Sequence, residues 1–216
     1  MSALLNSFLL VYAGLFPIVD PVGGAPIFLG LTRRLKSAER DRLALRISIN
    51  GFILLLGSLV IGSYVLEFFG ITLPVVRIAG GLVVATFAWK LLHQNEELQD
   101  HNDAGTAATE DRPIDAFYPL TMPLTVGPGS ISVAITLGSQ RPHAGTAFAD
   151  AAVIGGGLAG LIAVALTIYL CYRYAEPLIA RLGESGTNVL VRLSAFILLC
   201  IGIQIIWNGV QPLLHP

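Results

Sequence analysis

Charge is scarce in this chain. Asp, Glu, Lys and Arg make up 12% of its 216 residues and the formal net charge is −1, a balance that gives no sign of nucleic-acid binding. Histidine is scarce too: His93, His101, His143 and His215 all fall in predicted loops or the tail, and the spacing of His93 and His101 matches no zinc pattern. With no intramembrane acidic pair and no phosphate-cradling loop, no catalytic constellation is present, so an enzyme is not expected. Cys171 and Cys200 fall on different predicted helices, roughly 16 Å apart in depth at 1.5 Å per residue. That gap excludes a disulfide without rearrangement, and both read as small apolar fillers. No basic residue precedes the first apolar run, so the N-terminus is expected to be a retained first helix and not a cleaved signal.

What the chain has is apolar length. Hydrophobic residues make up 54% of it, in blocks long enough to cross a bilayer. The blocks are Ala3–Leu31, Ile47–Leu66, Leu73–Leu92, Phe117–Gly138, Ala151–Tyr172 and Val189–Val210. The expectation is an all-α integral membrane protein of six spans forming one membrane domain. Residues 1–93 make a first three-helix repeat and 117–216 a second. The polar stretch 94–116, rich in Glu, Asp, Asn, Thr and Ala, reads as a mobile cytoplasmic linker.

Two of the blocks contain prolines that a continuous helix does not tolerate. Pro17, Pro21 and Pro26 interrupt the first, and Pro119, Pro123 and Pro128 interrupt the fourth, each 102 residues after its counterpart. Every proline removes a backbone N–H and disfavours helix in the residue before it, so carbonyls are released in lipid and need other partners. Matched broken helices in two halves point to a solute cavity, the alternative being kinks that only shape packing. Three spans per half make the repeats antiparallel, hence inverted.

Six basic residues, Arg33, Arg34, Lys36, Arg40, Arg42 and Arg46, follow the first span and place that loop in the cytoplasm, with both termini outside. Arg77 and Arg192 each stand about one turn into a predicted span. They either reach the interface or cap carbonyls released by the broken helices. Small and polar residues along the second span, and Gly156-xxx-Gly160 in the fifth, suit close helix packing. Arg192, Phe196, Cys200, Gln204 and Asn208 form a stripe that can face the bundle interior. Asp20 is the one acid well inside a span, hence a functional candidate that can hold a cation or ammonium or carry a proton. Around it, Gly23, Gly24, Gly127 and Gly129 are expected to expose N–H donors and carbonyls, with Asn50, Thr121, Thr125 and Ser130 as further contacts.

Several of these segments resemble the MarC family of bacterial multi-pass membrane proteins, also called the neutral amino acid transporter family. They are Asp20-Pro21-Val22-Gly23, Phe69-Gly70-Ile71 with Arg77-Ile78-Ala79-Gly80-Gly81, Pro119-Leu120-Thr121-Met122-Pro123 with Gly127-Pro128-Gly129, and Gly186-Thr187-Asn188 with Arg192. The resemblance implies a location in the bacterial cytoplasmic (inner) membrane. It also implies uptake or exchange of small neutral amino acids coupled to sodium or protons, with no other cofactor. Family members commonly carry Asn or Asp where Asp20 stands, which favours binding of a sodium ion or an ammonium group there over proton carriage. Thr121 and Thr125 stand where the family commonly has apolar or small residues. A MarC-type exporter of another small solute and a non-transporting membrane protein with a packing or assembly role are the alternatives.

Overall fold

The computed structural model describes residues 2–100, 116–139 and 147–214, and every regular element among them is helical. In order they are α1 (Ser2–Val19), α2 (Pro21–Leu31), α3 (Ser37–Phe68), α4 (Leu73–Asp100), an irregular segment (Ala116–Thr125), α5 (Pro128–Ser139), α6 (Ala147–Arg173) and α7 (Ala175–Leu214). Five candidate spans are long and apolar enough to cross a bilayer. The pair formed by the irregular segment and α5, bent by 68°, makes a sixth if it counts as one. Large apolar side chains, among them Tyr64, Phe68, Leu82, Ile162, Phe196 and Trp207, point outwards. So much exposed apolar surface belongs against lipid.

One core joins α1, α2, α3, the irregular segment and α6 through Leu15, Phe28, Ile47, Leu55, Leu120, Val126, Leu161 and Ile168. A smaller one, Val84, Ala88 and Leu198, joins α4 to α7. Glycines set the closest crossings. A β-carbon at Gly156 would overlap the Leu4 carbonyl oxygen and one at Gly160 would lie 3.0 Å from that of Phe8, so the predicted glycine pair is the seat of α1 on α6. A β-carbon at Gly81 would lie 2.7 Å from the Gly202 carbonyl oxygen, so α4 and α7 meet backbone to backbone. The second span behaves as expected: the Ser48 hydroxyl donates to the Ala165 carbonyl of α6 at 2.5 Å, and Gly51 and Gly62 admit Val126 and Ile135.

Several boundaries differ from the sequence expectation. α3 begins at Ser37, well before Ile47, because Leu43, Ala44, Ile47, Ser48 and Gly51 continue one buried face through a region whose charges mask it. At roughly 1.5 Å per residue, its 32 residues exceed the hydrocarbon thickness, so its basic end projects beyond the bilayer. There the Arg40 guanidinium pairs with Glu176, and Arg173 lies 4.0 Å from Asp41. α4 continues to Asp100, into the stretch expected to be linker, whose last residue, Ala116, opens the irregular segment; residues 101–115, His101 among them, lie outside the described residues, as do Arg141, His143 and His215.

α7 starts at Ala175 and is interrupted at Gly183 (φ 68°), so Arg192 stands deeper in the helix than one turn. The expected interior stripe is also displaced. Arg192, Phe196, Cys200, Gln204 and Asn208 are exposed, while Ala195, Leu198, Gly202, Ile205 and Gly209 form the buried face. Gly202 and Gly209 take the interior where α4 comes closest, since a β-carbon at either would lie under 3 Å from α4 atoms.

Candidate solute site at the two helix breaks

The first break is a single residue. Asp20 adopts a left-handed conformation (φ 42°, ψ 59°), which Asp tolerates better than most side chains, and it ends α1 and begins α2 at once. Its N–H still donates to the Phe16 carbonyl at 3.0 Å. Its carboxylate Oδ1 accepts the Gly23 N–H at 3.0 Å, capping α2, and Ser194 of α7 comes in beside Gly23 from the other side. Pro21 occupies the first helical position, where its missing N–H costs nothing. Gly23 is required by crowding: a β-carbon there would meet the Asp20 carboxylate and lie 2.6 Å from the Ser194 β-carbon.

The second break is longer. Tyr118 and Met122 are extended, the Met122–Pro123 bond is cis, and helix resumes only at Pro128. Met122 is the counterpart of Asp20 in the 102-residue register, so both breaks include the same repeat position. The wide turns leave carbonyls that two hydroxyls and a backbone N–H take up. The Thr121 hydroxyl donates to Ala116 O at 2.7 Å, the Thr125 hydroxyl to Leu120 O at 2.8 Å, and the Val126 N–H to Thr121 O at 2.8 Å. Gly127, the residue before α5, has no side chain to cap it, and the N–H groups of Gly129 and Ser130 find no partner among the described residues.

The two breaks face one cavity of about 80 Å³. A water needs roughly 10–15 Å³ on that measure, so the space suits several waters or one small solute. Asp20, Gly23 and Gly24 line one side, and Pro123, Thr125, Gly127, Pro128, Gly129 and Ser130 another. Ile18, Ile27, Val84, Phe87 and Leu198 complete an apolar remainder. No Lys, Arg or His is among the described residues that line it.

The structure thus brings seven of the nine expected contact residues together: Asp20, Gly23, Gly24, Thr125, Gly127, Gly129 and Ser130. Asn50, half-buried on α3, and Thr121, buried with its hydroxyl committed, do not line the cavity. The Gly23 N–H is also not free for a solute, because Asp20 takes it. Among the prolines, Pro123 and Pro128 reach the cavity, while Pro17 and Pro26 sit within α1 and α2. Pro119 lies in the irregular segment.

Arg77 does cap a released carbonyl, though not at either break. Its Nη1 donates to Asn208 O at 3.3 Å and its Nε to the Thr136 hydroxyl at 3.4 Å. Pro212, inside α7, removes the N–H that would have served Asn208 O. Arg192 is exposed and makes no such bond among the described residues. Sequence reasoning missed Tyr172 and Ser194. Tyr172 is buried at the end of α6, stacked on Phe28 (centroids 4.6 Å apart), with its hydroxyl 2.8 Å from Thr125 Oγ1. No local pattern marks it, because its partners come from two other segments.

Compared with known proteins, residues 5–214 match a family model described as "MarC family integral membrane protein". The chain is 34% identical over 200 residues to "UPF0056 inner membrane protein MarC" of Salmonella typhimurium, covering 91% of this chain and 90% of that one. The protein of the same name from Escherichia coli O1:K1 is 34% identical over the same shares. "UPF0056 membrane protein MJ1677" of Methanocaldococcus jannaschii is 32% identical over 210 residues, 96% of this chain and 97% of that one. These relatives are named as membrane proteins and not as enzymes. No solved structure matches the chain.

Proposed function

The chain belongs to the MarC family of integral membrane proteins, and from that premise we propose that it is a secondary transporter of a small neutral amino acid such as alanine, glycine or serine. The observation that carries the proposal is the cavity between the breaks, with a carboxylate on one side and an uncapped helix N-terminus on the other. A zwitterion matches that pair: its ammonium pairs with Asp20, and its carboxylate takes the Gly129 and Ser130 N–H groups, where the helix dipole is positive. The apolar remainder suits a short side chain.

Inverted repeats supply a mechanism, and the packing supports them. The first broken span, α1 with α2, packs on α6 and α7, while the second, the irregular segment with α5, packs on α3 and α4; α3 also meets α6, and α4 meets α7. Exchanging the halves leaves this pattern unchanged. Both crossings set a glycine against a serine, with the roles exchanged between the elements: Gly23 of α2 abuts Ser194 of α7, and Gly80 of α4 abuts Ser132 of α5. Rocking one repeat against the other then alternates access to the shared cavity. Coupling to sodium or protons, and a topology with the basic α2–α3 loop in the cytoplasm and both termini outside, belong to the same proposal.

The Asp20 cap favours one rival, a non-transporting membrane protein in which the carboxylate only ends a helix. Counterflow separates the two. Vesicles loaded with unlabelled alanine, glycine or serine should transiently accumulate the labelled solute, and Asp20→Ala should abolish this. Absence of accumulation by folded wild-type protein contradicts transport of these amino acids.

A further inference from the structure

The side-chain polar groups of the cavity are all left as acceptors, and this follows from where their hydrogens go. Thr125 has one hydroxyl hydrogen, which it donates to Leu120 O at 2.8 Å. The Tyr172 hydroxyl is 2.8 Å from the same Thr125 oxygen, so Tyr172 is the donor in that bond. One lone pair of Thr125 Oγ1 is thereby used and one remains. Ser130 repeats the arrangement, donating its hydrogen to Gly127 O at 2.9 Å and keeping its lone pairs. Asp20 accepts from the Gly23 N–H and still has acceptor capacity and its negative charge.

Tyr172 is held in its donor role from two sides. Its ring stacks on Phe28 at an interplanar angle of 8°, and its hydroxyl presses on Gly24, where a β-carbon would lie 2.8 Å away. Tyr172 thus ties α2 to the second break through the hydroxyl of Thr125, a residue that lines the cavity.

We propose that the cavity is a site for a compact monovalent cation, an alkali ion or a primary ammonium group. The Asp20 carboxylate and the hydroxyl oxygen of Thr125 hold it, and Tyr172 is the positioning residue that keeps Thr125 an acceptor. The proposal rests on the transporter reading for the location of the site, but it concerns binding, which is measured without transport. One carboxylate and a neutral oxygen match a single positive charge, whereas divalent ions commonly draw on more carboxylates. An intramembrane carboxylate without a cation is costly, which gives the site its affinity.

The test is equilibrium binding of radiolabelled sodium and radiolabelled methylammonium to the purified full chain in lipid nanodiscs, with melting temperature read on the same samples. Saturable binding of at least one probe is expected. Sodium binding that glycine does not displace assigns the site to an ion, and methylammonium binding that glycine displaces assigns it to the ammonium of a solute. Asp20→Asn keeps a capping oxygen but loses the charge, and should weaken binding by about tenfold or more. Tyr172→Phe keeps the stacking on Phe28 and should weaken binding by roughly five- to tenfold while shifting the sodium-to-methylammonium preference, which a purely structural role would not move. Ser58→Ala, whose hydroxyl serves only Leu54 O of its own helix, should bind as wild type does. Saturable binding of neither probe to folded protein overturns the proposal even where counterflow persists. Unchanged affinity and preference in Tyr172→Phe overturns the role of Tyr172.

Discussion

Arg77 and Pro212 act on one atom, the Asn208 carbonyl oxygen: the proline deprives it of a helical partner and the arginine replaces that partner from α4. Arg77→Leu should therefore cost about 1–2 kcal/mol of thermal stability in detergent. In a Pro212→Ala background, where the N–H returns, the cost should fall, giving a coupling of about 1 kcal/mol in a double-mutant cycle. Equal costs in both backgrounds would mean that Arg77 stabilises by other means. Crowding at Gly23 makes a second residue-level prediction. Gly23→Ala should destabilise by roughly 1–3 kcal/mol, and Ser194→Gly should recover part of the loss by removing the β-carbon it meets. At this scale the sequence revealed candidates more readily than roles. Asp20 stood out as an intramembrane acid, but its capping bond depends on a left-handed backbone that composition does not encode. Arg77 stood out as a cation near a helix start, but its partner is released by a proline far along the chain.

Elements were more legible where glycine and proline punctuate them. The 102-residue proline register anticipated both breaks, and Asp20 and Met122 are non-helical at matching positions. The breaks still differ in length: α2 runs helically through Pro26, whereas its counterpart Pro128 starts a new helix, a difference of tertiary setting. The Gly156-xxx-Gly160 pair was readable because close approach needs that spacing, while the stripe on α7 was misplaced because hydropathy does not say which face meets α4. The contacts along α6 give a sharp contrast. Gly156→Val should destabilise by roughly 1–3 kcal/mol by lifting α6 off α1, whereas Gly155→Ala, whose β-carbon meets nothing within 4 Å, should be neutral or slightly stabilising. Thermal unfolding of both variants checks this; similar losses would place the α1 seat elsewhere. The ion pairs at the projecting end of α3 are partly exposed, so reversing either residue of Arg40–Glu176 should cost no more than about 1 kcal/mol, an effect that salt screens.

Across the whole molecule, the helical membrane class and its long apolar elements were legible because lipid imposes length and apolarity on every span. The cavity was legible only in outline. The breaks pointed to a shared space, but Asn50 and Thr121 were misplaced, and Tyr172 was not anticipated, because facing is decided by packing between distant segments. The central claim, that this space holds the solute, is tested most directly at Ile27, which lines it without supplying a polar group. With Cys171 and Cys200 replaced by serine, Ile27→Cys should react with a water-soluble thiol reagent, and alanine, glycine or serine should slow that reaction in a saturable way. Labelling at one unchanged rate across all three amino acids, in protein shown to be folded, would contradict the account.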